Sequence, residues 1–338
     1  MSSRLKLAFK LSLTSALLVV VFATAKDDFA HAMNQLNAST IPWFLFAMAA
    51  CGIDVLLSGR RQLATLRVLA PDCRYWKIVA ITYAGLFANL VMPGGTGLDA
   101  CRILYIHRPG GVDHGHVGGW VLLDKAIAAL AVLLVAVVAL AGASASGIMA
   151  FSRVSFAFVA IALTALVGAM GVLFALRSLR LSRLAEKAAL RFHFIDALRR
   201  IVRLFQIKRY SLADLAMAVV YAVAGRLALM AGVAALAYPF YGFQGALLAL
   251  VLSPLVMAAN QLPVTPGNLG WTEASAALVW QLFNSEGGGI IFLLWRIAQI
   301  AFAAGGAVIL MLLKRSPSTK AQTTEPPIVN PLPSQKEG

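Results

Sequence analysis

The stretch N-L-V-M-P-G-G-T-G-L-D-A-C-R runs from Asn89 to Arg102 and closes a long apolar run that begins at Trp76. A helix that merely crosses a bilayer does not need Pro-Gly-Gly-Thr-Gly at its end, followed at once by an acid and an arginine. Pro93 stops a helix because it lacks an N–H and clashes with the preceding turn. Glycines supply positive φ and allow close backbone approach to a neighbour or ligand. A helix restarting there presents free N–H groups and the positive end of its dipole. Asp99 falls in that first turn, where an anion is favoured and can cap the helix. Arg102, three residues later, shares its face and can pair with it. Segment 76–106 therefore reads as a helix that breaks inside the membrane and resumes.

The surrounding sequence supplies the membrane. Of 338 residues, 60% are hydrophobic and 13% charged, and the mean hydropathy is +0.81. Soluble domains carry roughly 45–50% apolar and about 25% charged residues. Several runs approach the roughly 20 residues that span a bilayer, and no barrel-like strand pattern appears, so the spanning elements are expected to be helices. The net charge of +15 does not point to nucleic acid. The basic residues lie between apolar spans, where they set topology and meet anionic lipid. Cys51, Cys73 and Cys101 form no disulfide framework, and His107, Asp113, His114 and His116 lack the spacing of a metal motif. No metal and no cofactor is expected.

Clear spans fall at about 5–25, 41–58, 118–141, 154–176, 211–237 and 290–313, with two apolar regions, 76–106 and 244–284, interrupted by Pro and Gly. Ala23-Thr24-Ala25 resembles a signal-peptide cleavage site, but a retained first helix over 5–25 serves a polytopic chain as its insertion signal. Basic clusters lie at Arg4/Lys6/Lys10, Arg60/Arg61/Arg67/Arg74/Lys77, Arg177 to Arg209, and Lys314/Arg315/Lys320. All four fall on the cytoplasmic side only if 76–106 and 244–284 each enter and return. The fold expected is an all-α polytopic membrane protein with about six full transmembrane helices. Two re-entrant or broken-helix hairpins, one opening from each face, add an inverted-repeat arrangement. Residues 1–315 form one membrane domain. Within it, 177–209 reads as a basic amphipathic cytoplasmic segment or a solvated connector. The Pro-, Ser- and Thr-rich tail 316–338 reads as disordered.

The opening motif has an echo. Asn260 to Ala274 reads N-Q-L-P-V-T-P-G-N-L-G-W-T-E-A, repeating Asn, P-G-x-x-G and an acid followed by Ala. Pro266, Gly267, Gly270 and Glu273 match Pro93, Gly94, Gly97 and Asp99. Paired broken segments in two halves point to a transport site, and helix N-termini at such breaks bind phosphate. Asp54, Asp124, Lys125, Arg226 and Arg296 are further ionisable residues in apolar spans, a position that points to function or to a buried ion pair. Asp124 and Lys125 lie near a span end, where snorkelling is an alternative. Guanidinium suits phosphate in a bidentate fork. The carboxylates can neutralise the arginines when no substrate is bound.

At these residues the chain resembles the lysylphosphatidylglycerol synthase transmembrane, or flippase-like, family. Leu262 to Glu273 fits its [LI]-P-[IV]-T-P-G-G-L-G-x-x-E motif, and Asn89, Pro93, Gly94, Gly97, Asp99 and Arg102 fit a looser N-x-x-x-P-G-R-x-G-[ED]-x-x-R. Asp124-Lys125 stands where relatives have Glu-Arg, and Trp295-Arg296 resembles a Tyr-Arg. Gly95 replaces an Arg and Asn268 a Gly, and no aminoacyl-transferase domain follows. The resemblance implies translocation of an anionic phospholipid or lipid-linked head group, or support of polar-lipid and cell-envelope synthesis, in the bacterial inner membrane with both termini cytoplasmic.

The expected head-group site comprises Asn89, Asp99, Arg102, Arg226, Asn260, Glu273 and Arg296, with Asp54, Asp124 and Lys125 beside it. Alternatives are an intramembrane glycosyl- or phosphotransferase using a lipid-linked donor, or an accessory subunit docking a cytoplasmic lipid-modifying or glycosyl-transferring enzyme. No nucleophile–base pair, P-loop or dinucleotide motif supports the enzyme reading, so a transporter is preferred. Membrane lipids are the expected partners.

Overall fold

A computed structural model of the chain describes residues 37–92, 96–106, 114–145, 211–261, 265 and 268–315. The expected spans 5–25 and 154–176, the basic segment 177–209, the tail 316–338 and the tip residues Pro93, Gly94, Pro266 and Gly267 lie outside them. Every regular element among the described residues is helical.

Helix α1 (Ile41–Leu66) follows a 3-10 turn whose Asn37 side chain accepts a hydrogen bond from Ser39 N–H. It does not end near residue 58. Arg, Gln and Leu propagate a helix well, so α1 runs on through Arg61 and Gln62, and both are buried. Helix α2 (Tyr75–Val91) and α3 (Gly97–Ile106) are the two arms of the first broken segment. Helix α4 is His114–Ala145. Helix α5 (Leu212–Ala259) is divided at Gly242, where φ 64° and ψ −164° break the helical path. The division falls between the expected 211–237 span and the second broken segment. Helix α6 (Trp271–Leu282) and α7 (Gly288–Ala304) follow, and after a break at Gly305, α8 (Gly306–Arg315). The span expected as 290–313 is thus two helices.

Four stretches among the described residues are long and apolar enough to cross a membrane: Ala38–Leu66, His116–Ala145, Leu212–Ala259 and Gly288–Leu313. The short arms are different. At 1.5 Å per residue, the ten residues of α3 reach about 15 Å and the twelve of α6 about 18 Å, against a hydrocarbon core of about 30 Å.

Both broken segments fold back on themselves. A Cβ on Gly97 would run into the backbone of Ala88 and Asn89, and one on Gly85 would lie 3.0 Å from the Leu98 Cα, so α2 and α3 touch backbone to backbone. In the second segment the Trp271 indole N–H donates to the Ala259 carbonyl (3.0 Å) across the turn. Gly287, at φ 87°, is pressed against the Tyr241 ring, which returns the chain to the level where that segment began.

The two mouths lie at opposite ends of α1. The Tyr75 hydroxyl donates to Leu56 O and its ring carries the Arg60 guanidinium at 4.3 Å, while Ile106 packs with Leu63 and Leu66. This holds the first mouth at the C-terminal end of α1. Tyr238, just before the second mouth, stacks on Trp43 at the N-terminal end, with ring centroids 4.8 Å apart. Of three apolar clusters among the described residues, two follow this division. The larger joins α1, α4, α5, α6 and α7 through Leu236, Leu252, Trp280, Phe292 and Trp295, and the smaller holds the first hairpin against α1 and α4 through Leu66, Ile81 and Trp120.

Candidate functional site

The second tip is organised by hydrogen bonds. Asn268 adopts φ 56° and Gly270 φ 74°, the left-handed region. Asn tolerates it better than other side-chain-bearing residues, which explains how Asn268 can hold this turn. Its amide also donates to Asn260 O (2.8 Å), a bond glycine cannot make. Thr265 Oγ1 donates to Leu269 O (2.8 Å), and Thr272 Oγ1 lies 3.0 Å from both Asn260 Oδ1 and Asn268 O. Arg296, arriving from α7, closes the turn. Its Nη2 donates to Asn268 O (3.2 Å) and Thr272 Oγ1 (2.5 Å), and its Nε to Glu273 Oε1 (3.2 Å). Glu273 is 1% exposed, and its Oε2 has no hydrogen-bond partner among the described residues.

Asp54, in the middle of α1, pairs with Arg226 of α5 at 2.9 Å. The carboxylate rests on Gly225, where a Cβ would come within 2.5 Å of Asp54 Oδ1. Asp54 also lines a cavity of about 140 Å³ together with Asn89 and Leu86 of α2, Leu229 of α5, and Arg296 and Gln299 of α7. That is room enough for several waters. Asn89, from the first tip, contributes a buried Oδ1 that lacks a donor among the described residues. Residues next to both tips thus meet at one cavity at mid-α1, where Asp54, Asn89, Arg296 and Gln299 stand in an otherwise largely apolar wall.

Arg102 is not there. It lies in a second cluster toward the first mouth, where its Nη1 is 3.1 Å from Asp124 Oδ2. Asp124 is also held by Arg61, with Nε to Oδ1 at 2.8 Å and Nη2 to Oδ2 at 3.0 Å. Asp99 is 3.9 Å from Arg102, a long contact for the expected i,i+3 pair, and is held instead by Lys125 at 2.5 Å. Asp124 is 1% exposed, so it is a buried ion-pair member and does not snorkel; Lys125, with its side chain 56% exposed, is the one that reaches outward. Beside them Thr82 Oγ1 donates to Gln62 Oε1 (3.1 Å) and Trp120 Nε1 to Thr65 Oγ1 (2.8 Å).

The structure therefore brings Asn89, Asp54 and Arg296 to one cavity, with Arg226 bonded to Asp54 and Glu273 to Arg296, while Asn260 connects to it only through Asn268 and Thr272, which hold Arg296. It separates from them Arg102, Asp99, Asp124 and Lys125. Three residues absent from the expected site take part. Arg61 sat in a basic cluster read as a topology signal, yet it lies seven residues after Asp54, two helical turns along one face. Gln299 follows Arg296 by three residues and shares its face for the same reason. Thr272 had no signal of its own beyond its place before Glu273.

The match to known families covers this whole arrangement. The description of the Lysylphosphatidylglycerol synthase TM region matches residues 7–306, so the chain belongs to that family. It is a multi-pass membrane protein, and its family ties it to membrane lipids. No curated protein and no solved structure matches the chain.

Proposed function

We propose that the protein moves an anionic phospholipid or lipid-linked head group between leaflets, with the tips of two inverted hairpins meeting at the polar cavity. The observation that carries this reading is the cavity itself: Asn89 from one hairpin and Arg296, bonded to the other, face it from mouths at opposite ends of α1. In transporters built this way the site lies near the midplane between discontinuous helices. Arg226 and Arg296 are the phosphate-binding groups, and Asp54 and Glu273 neutralise them when the site is empty. The head group enters by taking the arginines from the carboxylates, while the acyl tails remain in lipid. Asp99 and Glu273 offer a route for ion or proton coupling.

In this reading the segments 5–25 and 154–176 complete six full spans. The protein sits in a bacterial inner membrane with both termini cytoplasmic, in polar-lipid or cell-envelope biogenesis, and 177–209 faces a cytoplasmic lipid-modifying or glycosyl-transferring enzyme. The test is transfer of fluorescent phosphatidylglycerol in proteoliposomes. Arg296→Ala and Glu273→Gln are each expected to slow transfer by about tenfold or more, the loss of one charge-assisted hydrogen bond. Transfer at the wild-type rate in both variants contradicts the assignment.

A further inference from the structure

The buried arginines are not all matched by acids. Arg226 has Asp54 and Arg296 has Glu273. In the second cluster, Arg61 and Arg102 share the single carboxylate of Asp124. Asp99 lies 3.9 Å from Arg102 but is taken by Lys125 at 2.5 Å. That leaves the cluster one positive charge in excess, on guanidinium side chains only 5% and 4% exposed. Hydrogen bonding is incomplete in the same place. Among the described residues, Arg61 Nη1 and Arg102 Nε have no acceptor, nor does Nε2 of Gln62, the next residue along α1. A buried donor without an acceptor is costly, and an unmatched charge at membrane depth more so. A singly charged anion with several acceptor oxygens removes both penalties.

We infer that Arg61 and Arg102 form a second anion site, distinct from the tip cavity and lying toward the first mouth, for a monoanionic phosphate group. The group is either the phosphodiester of a phospholipid or free inorganic phosphate. Both guanidinium groups already hold Asp124 and keep free N–H groups for a second oxyanion, the bidentate chemistry in which arginine exceeds lysine. The Asp99–Lys125 pair, with Lys125 exposed, is the rim where the site meets its surroundings. This site stands whether or not the protein transports anything, because its occupancy is read without transport.

The test titrates the full-length protein, purified in detergent, with phosphatidylglycerol, and follows bound lipid by native mass spectrometry and the shift in unfolding temperature. Diacylglycerol with the same chains is the phosphate-free comparison and is expected not to bind. Arg61→Gln and Arg102→Gln are each expected to weaken phosphatidylglycerol binding by about tenfold or more. Each also removes the excess charge, so the lipid-free protein should melt no lower than wild type while losing the lipid-dependent shift. Asp124→Asn leaves both guanidinium groups without a counter-ion and should tighten binding, a direction that misfolding cannot imitate. Arg74→Gln, at an exposed position, should change nothing. Competition by millimolar inorganic phosphate supports the site with free phosphate as its ligand, and failure to compete supports it with the lipid head group. Undiminished lipid binding in both arginine variants, or weaker binding in a folded Asp124→Asn protein, overturns the inference.

Discussion

Single residues here hold charges where water is scarce, so small changes have large effects. Gly225 is the clearest instance, because the Asp54 carboxylate occupies the space a side chain would take. Gly225→Ala should displace Asp54 from Arg226 and lower stability by about 1–3 kcal/mol, seen as a lower unfolding temperature in detergent. An unchanged temperature would mean that the pair contributes nothing. Asp124→Asn should cost more, about 3–5 kcal/mol, because it strands two buried arginines. At Asn268 the backbone angle decides. Asn268→Ala must hold φ 56° with a Cβ and should lose about 1–2 kcal/mol. Asn268→Gly keeps the angle and loses only the bond to Asn260 O, so its melting temperature should fall less.

At the scale of elements, the hairpins depend on backbone contact. Gly97 lies on the Ala88 and Asn89 backbone, which cannot move aside as a side chain can. Gly97→Val should separate α2 from α3 and destabilise the first hairpin by several kcal/mol, within the range of severe packing changes. Protease sensitivity between residues 92 and 97 would report it, and an unchanged digestion pattern would contradict it. These breaks were legible in the sequence because Pro and Gly punctuate apolar runs and because the basic clusters require an even number of crossings. The extent of α1 was not legible. Arg60 and Arg61 look like a loop to any rule that counts charge, and only the packing of α2 and α4 shows that one of them is buried. The break at Gly305 was hidden for the opposite reason: glycines inside an apolar run carry no polar signal, and nothing in the run predicts that Tyr83 O–H will donate to the Phe302 carbonyl (2.8 Å) there.

For the whole molecule, the arrangement of mouths gives a direct topology test. On the proposed topology, in a chain whose three cysteines are replaced by Ser, Glu286→Cys should react with a membrane-impermeant maleimide added outside the membrane. Asp72→Cys, beside the first mouth, should react only after permeabilisation. Labelling of both from one side would contradict hairpins of opposite orientation. Of the residues lining the tip cavity, Asp54, Asn89 and Arg296 stood out in the sequence, because polar and ionisable groups in apolar spans are few; the apolar wall and Gln299 carried no such signal. The division of the charged residues into two clusters was not foreseeable. It depends on which helix faces which, and a one-dimensional pattern does not encode that.

The partners of these charges also differ in when they are made. Asp54 and Arg226 are 172 residues apart, and Tyr83 and Phe302 are 219 apart. At about 5–20 residues per second, a ribosome delivers Arg226 roughly 10–35 s after Asp54 has been synthesised. During that interval α1 carries a lone carboxylate near its middle, worth about 3 kcal/mol against insertion on a translocon scale. The nascent helix must therefore linger beside the insertion machinery until α5 emerges. Chains interrupted between α4 and α5 should consequently be substrates for membrane quality control, whereas those released after α5 have already settled their first debt of charge.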